Sequence, residues 1–112
     1  MAIPTVNVTI EKGMYFESTF NVNNDDGSPY NLSNYTGIAR IRKHPSASTY
    51  HSFSVTITAL SGLIKLIMVP SVTSQLKEGR NYYDVVITDN ANPDYKIKVI
   101  EGTAIVTPSI SI

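Results

Sequence analysis

The chain has 112 residues, 9 basic and 9 acidic side chains, two histidines, and neither cysteine nor tryptophan. This length suits a single domain over residues 1–112, and the missing cysteines exclude a disulfide framework, a thiolate metal site and a cysteine nucleophile. A formal charge of +0 gives no chain-wide attraction to phosphate, so nucleic acid is not an expected partner; the one basic cluster, Arg40, Arg42, Lys43 and His44, reads as the solvated face of a strand.

Val, Ile and Thr supply 10, 13 and 11 residues while Ala, Leu and Glu supply 6, 5 and 4. Branched side chains are stiff at the first torsion and pack well on a pleated surface, so the chain is strand-forming. Met1 to Val6 lacks the basic segment and apolar run of a secretory signal, and no stretch reaches the length of a membrane span. A soluble compartment and no membrane partner are expected.

Residues 1–4 read as a short N-terminal arm. Thr5 to Ile10 alternates, with Val6, Val8 and Ile10 on one face, and is a half-buried strand. Gly13 punctuates it, and Tyr15 to Val22 follows with Phe16, Ser18, Phe20 and Val22 on one face. Asn23-Asn24-Asp25-Asp26-Gly27-Ser28-Pro29 strings together residues that tolerate positive φ or cap their own backbone, a turn. Tyr30 to Tyr35 is an irregular crossover. Gly37 to Lys43 resumes as a strand with Ala39 and Ile41 inward and Arg40 and Arg42 outward, and His44 to Ser48 is a loop around Pro45.

Tyr50 to Thr58 alternates Phe53, Val55 and Ile57 against Ser52, Ser54, Thr56 and Thr58. Ala59 to Gly62 turns the chain into Leu63 to Val69, with Ile64, Leu66 and Met68 on one face. Pro70 to Gly79 is the one helical candidate, one to two turns with serine or threonine near its start and a closing glycine. Tyr82 to Thr88 sets Tyr83, Val85 and Ile87 against Tyr82, Asp84 and Val86. After the Asp89 to Asp94 turn, Tyr95 to Thr107 is a long last strand with a bulge expected at Gly102, and residues 108–112 form a tail. About seven evenly spaced strands with one short helical corner predict an all-β, immunoglobulin-like antiparallel β-sandwich. Leu76-x-x-Gly79-x-x-x-Tyr83 adds to this, since Tyr83 stands where such a fold bonds a tyrosine back across its helical corner.

Chemistry is sparse. Asp25 and Asp26 are neighbours on one turn, whereas acid/base work needs opposed carboxylates. Asp89, Asn92 and Asp94 alternate as oxygen ligands and are calcium candidates, but the loop glycine and closing glutamate of a full calcium motif are missing and Pro93 interrupts, so a structural turn is the preferred reading. His44 and His51 match neither a zinc pair nor a nucleophile and base. No phosphate loop, nucleophile elbow or zinc-protease run occurs. Three acceptor-type triplets, at Asn7, Asn31 and Asn34, read as chance in so Asn-, Ser- and Thr-rich a chain. Neither a catalytic residue nor a cofactor is expected. Tyr30, Tyr35 and Tyr50 lie in or near loops, where they cap the core ends or serve an interface; with Arg40 and Arg42 they are the interface candidates.

The run Asp26-Gly27-Ser28-Pro29-Tyr30-Asn31-Leu32-Ser33-Asn34-Tyr35-Thr36 resembles the crossover of small β-sandwich structural proteins in tailed bacteriophages, among them upper-baseplate proteins and virion proteins of marine phages. Ala39-Arg40-Ile41-Arg42-Lys43, Phe53-Ser54-Val55, Gly62-Leu63-Ile64, Thr73-Ser74-Gln75-Leu76, Tyr83-Asp84-Val85 and Glu101-Gly102-Thr103-Ala104-Ile105-Val106-Thr107-Pro108 continue the likeness over about residues 14 to 108. Asn31 stands where the family often has aspartate, and Asn34 where it often has glycine. The resemblance implies a non-enzymatic part of the virion, made in the host cytoplasm and present in many copies or as a homo-oligomer. Its partners would be other virion proteins of the tail, baseplate or neck. A capsid decoration protein, and a glycan-binding or host-adhesion module using Tyr30, Tyr35 and Tyr50 with Asp25 and Asp26, are the alternatives. The long last strand and the two terminal segments are the expected points of contact with neighbours.

Overall fold

A computed structural model describes residues 4–110; the first three residues of the expected arm and the last two of the expected tail lie outside the described residues. The chain is all-β, with strands β1 (Val8–Glu11), β2 (Phe16–Asn21), β3 (Tyr35–Arg42), β4 (His51–Thr58), β5 (Leu63–Met68), β6 (Gly79–Asp89) and β7 (Lys96–Thr107). One four-residue helix, α1 (Pro70–Thr73), stands between β5 and β6. No helix among the described residues is long and apolar enough to cross a membrane.

The two-residue period decides what faces inward. Ile10, Phe20, Ile41, Phe53, Leu66, Val85 and Val106, one from each strand, belong to a single buried cluster. Burial of a side chain of this size contributes roughly 1.5–3 kcal/mol, so the cluster, drawn from all seven strands, is the main cohesive element. Phe53 sits at its centre, its ring 5.8 Å from that of Phe16 and 6.1 Å from that of Tyr83.

The ladder is continuous in the order β1-β7-β6-β3-β4-β5-β2. Its hinge is β4, whose residues 51–53 pair with β3 while residues 54–58 pair with β5. Because one strand changes partner halfway, the β1-β7-β6-β3 and β5-β2 portions are joined through β4 into one continuous mixed sheet that curls about the shared core and is nearly barrel-like. Five of the six pairings are antiparallel. The sixth corrects the expectation of a wholly antiparallel sheet, since β1 runs parallel to β7 with Val8 opposite Ala104 and Glu11 opposite Thr107. Only a long connection can return a chain parallel to itself, and here that connection is nearly the whole domain.

The last strand differs from expectation in two respects. Its irregularity falls at Val99, between the Val85–Ile100 and Val86–Lys98 pairs, and not at Gly102. Gly102 answers a different need: the Val6 carbonyl occupies the space that a Cβ would take there. Nor is β7 an open edge along its length. Residues 4–11 cover its second half, with Val6 N–H donating to Glu101 O at 2.9 Å and Glu101 N–H to Pro4 O at 3.2 Å.

The helical corner is closed by unexpected residues. Pro70 at the start of α1 lacks only a donor that the first turn leaves unused. Thr73, fully buried, donates its hydroxyl to Met14 O at 2.8 Å and fastens the corner to the β1–β2 turn. Asn81, also buried, spans the corner with its amide on Lys77 O at 2.9 Å and Gly79 O at 3.1 Å. The hydroxyl of Tyr83 turns elsewhere, to Val6 O at 2.6 Å. Tyr83 therefore clamps the N-terminal segment, and Asn81 does the work expected of it at the corner.

Candidate functional site

Strand pairing turns outward residues into rows across the exposed face of β3, β6 and β7. Ile38, Val86 and Lys98 form one row, Arg40, Asp84 and Glu101 the next, and Arg42, Tyr82 and Thr103 the third. Over the last two rows lies a groove of about 510 Å³. Thr5 and Asn7 bound it on the β7 side, and Pro45 of the β3–β4 loop on the other. The Asn7 side-chain amide oxygen, Oδ1, accepts from both the Thr103 N–H and its hydroxyl at 3.0 Å, which fixes that rim.

The charges in the groove are arranged unequally. Lys98 reaches Glu101 at 3.2 Å and Asp84 at 3.5 Å, so one ammonium serves both carboxylates. The hydrogen bond to Glu101, and then the Asp84 charge, hold the Lys98 ammonium above its ordinary pKa. Arg40 lies directly opposite Asp84 in the sheet but turns to Tyr50 instead, with its guanidinium carbon 4.2 Å from the ring centroid. The guanidinium carbon of Arg42 lies 4.8 Å from the same centroid, and Arg42 donates to Ala47 O. Two distances of 4.2 and 4.8 Å to one point put the two cationic carbons no more than 9.0 Å apart. Among the described residues neither guanidinium has a carboxylate within ion-pair distance, and the buried Arg40 Nε has no hydrogen-bond partner.

The five interface candidates thus separate into two groups. Arg40 and Arg42 line the groove, and both guanidinium groups lie against the Tyr50 ring, which remains 42% exposed. Tyr30 and Tyr35 meet at the opposite end of β3, their rings 6.2 Å apart and their hydroxyls 3.4 Å apart. The seven residue steps from Tyr35 to Arg42 separate the groups by roughly 23 Å. The hydrogen bond shared with Tyr30, with burial second, pushes the Tyr35 phenol up to about 12.

The remaining candidates take local roles. Asp89 accepts the Ala91 N–H at 2.9 Å, an aspartate turn, while Asn92 and Tyr95 continue the reversal through their backbones. No group of three His, Asp or Glu side chains able to hold a metal ion occurs among the described residues. Asp26 accepts from the Ser28 N–H at 2.9 Å and hydroxyl at 2.6 Å, and those bonds lower its pKa. His44 Nδ1 lies 3.1 Å from Ser46 Oγ within its own loop. Sequence reasoning missed Asn7, Asp84, Lys98, Glu101 and Thr103 as members of one site. Their outward orientation was readable for Asp84, but their proximity depends on register across three strands and on the returning N-terminal segment.

No family model matches the chain, and no curated protein matches it. Among solved structures, a family 123 glycoside hydrolase from Clostridium perfringens, studied for glycolipid glycan hydrolysis, is similar at a TM-score of 0.44 with 13% identity. The likeness covers 96% of this chain and 24% of that one. A likeness of that strength carries no argument about activity.

Proposed function

We propose that this chain is a non-enzymatic structural protein of a tailed bacteriophage virion, packing against other subunits of the tail, baseplate or neck through the outer face of β3, β6 and β7. The observation that carries the interaction role is the Arg40–Tyr50–Arg42 stack. Aromatic residues and arginine are enriched in protein interfaces, and a stacked guanidinium loses little further freedom when a partner arrives. Ile38, 48% exposed in the adjoining row, supplies apolar area beside those charges.

The virion setting rests on the crossover resemblance, and two local features support it. Asp26 caps Ser28 while Gly27 takes φ 89°, so the turn residues of that run are used as turn residues. Asn34, where the resembling proteins often have glycine, takes φ 69°. Asparagine is among the few side chains that tolerate this left-handed region.

An antibody raised against the chain, followed on phage particles by immuno-electron microscopy, tests the reading. Label on the tail, baseplate or neck supports it, and label over the head lattice makes the chain a decoration protein. Particles without label, from lysates in which the chain is abundant, refute a virion role.

A further inference from the structure

We propose that the groove over β3, β6 and β7 is a carboxylate-binding site, anchored by Arg40, that takes an aspartate or glutamate side chain from a partner protein. This deepens the docking role proposed above and rests on it. A half-buried guanidinium offers five N–H donors. Buried polar atoms are nearly always satisfied, and one left without an acceptor carries a desolvation cost. The buried Arg40 Nε has no acceptor among the described residues. Its cross-strand neighbour Asp84 is within reach of the strand but is held by Lys98. The Nε atom is closed to solvent, so an acceptor from outside meets the rest of the guanidinium: Arg40 and Arg42 line the groove without a carboxylate partner among the described residues, and carboxylate geometry matches the planar fork of a guanidinium.

The same groove selects among anions. Asp84 and Glu101 line it beside the two arginines, so a phosphate chain laid along it would meet two negative charges. A single carboxylate at Arg40 has only Asp84 directly opposite, and the Lys98 ammonium offsets that charge. Exposed Ile38 in the neighbouring row gives an adjacent apolar side chain of the partner a surface to cover. The occupant is therefore an acidic residue flanked by apolar ones, on a protein segment, rather than a polyanion.

Two blocked heptapeptides, differing only in a central Glu or Gln between valines and threonines, test this by amide chemical-shift titration of the intact chain. The Glu peptide is expected to move the Arg40, Arg42 and Thr103 amides with a Kd of about 1 mM, and the Gln peptide to bind at least about 10-fold more weakly. Arg40→Gln should abolish that preference, while Lys96→Gln should keep it; the dispersion of the amide spectrum reports that both variants are folded. Equal binding of the two peptides, or no shift up to about 10 mM peptide, overturns the site. So does inorganic phosphate moving the same amides more strongly than the Glu peptide. Label on particles together with a flat titration removes the carboxylate site and leaves the virion role standing; a Glu-selective titration with unlabelled particles does the reverse.

Discussion

Gly102→Ala tests how the N-terminal segment is held. A methyl group at residue 102 would overlap the Val6 carbonyl oxygen and lie 2.7 Å from its carbon, both backbone atoms with little freedom to yield. The segment must lift, and three hydrogen bonds go with it: Tyr83 hydroxyl to Val6 O, Val6 N–H to Glu101 O, and Glu101 N–H to Pro4 O. At about 1 kcal/mol each, the loss is about 3 kcal/mol, read from urea unfolding followed by circular dichroism. Tyr83→Phe removes only the first bond and should cost about 1–2 kcal/mol. In the Gly102→Ala background that bond is already broken, so Tyr83→Phe should then cost almost nothing. Additive losses in the double variant would refute the clamp, because residues that share a contact must couple.

Phe53→Ala opens the centre of the core between Phe16 and Tyr83 and should cost roughly 3–5 kcal/mol by the same unfolding assay; a loss below about 1 kcal/mol would contradict its placement. Arg42→Ala removes one bond to Ala47 O and one face of the Tyr50 stack, which together are worth about 1 kcal/mol, so its larger effect is expected in particle assembly. Gly62→Ala should destabilise more than an exposed glycine change, because at φ 65° its Cβ would meet Val22 O at 2.5 Å; urea midpoints measure this. Burial pushes the Tyr83 phenol from 10.0 up to about 12. The folded state therefore favours the neutral phenol, a contribution complete below pH 10.0 and lost as pH rises through about 12. Urea midpoints on either side of that window should fall for the parent chain and fall less for Tyr83→Phe; an identical alkaline loss in both would assign the effect to other groups.

Side-chain alternation made much of this fold legible. The inward sets of β3, β4, β5 and β6 follow from a period of two because each strand has one face on the core and one in water. What could not be read was pairing. The parallel match of Val8 with Ala104 joins residues at opposite ends of the chain, and nothing local in either segment encodes it. The partner change within β4 is hidden for the same reason, since both of its halves alternate alike. Tyr83 shows the limit of motif reading: its position suggested a bond across the corner, yet the N-terminal carbonyl outcompetes the corner for its hydroxyl, and the short amide of Asn81 fits the corner better. At the groove, Arg40 and Arg42 were visible as outward charges, whereas their stacking on Tyr50 depends on how the loop through Pro45 returns.

The parallel match of β1 with β7 also sets how the domain carries load. Tension between residues preceding β1 and residues following β7 pulls two neighbouring parallel strands in opposite directions along their common axis. The Val8–Glu11 ladder is then sheared as a set instead of being unzipped bond by bond, and the Tyr83 bond to Val6 lies in the same line of force. Mechanical resistance in this chain is concentrated at one seam, and a subunit pulled through its two ends would yield there first.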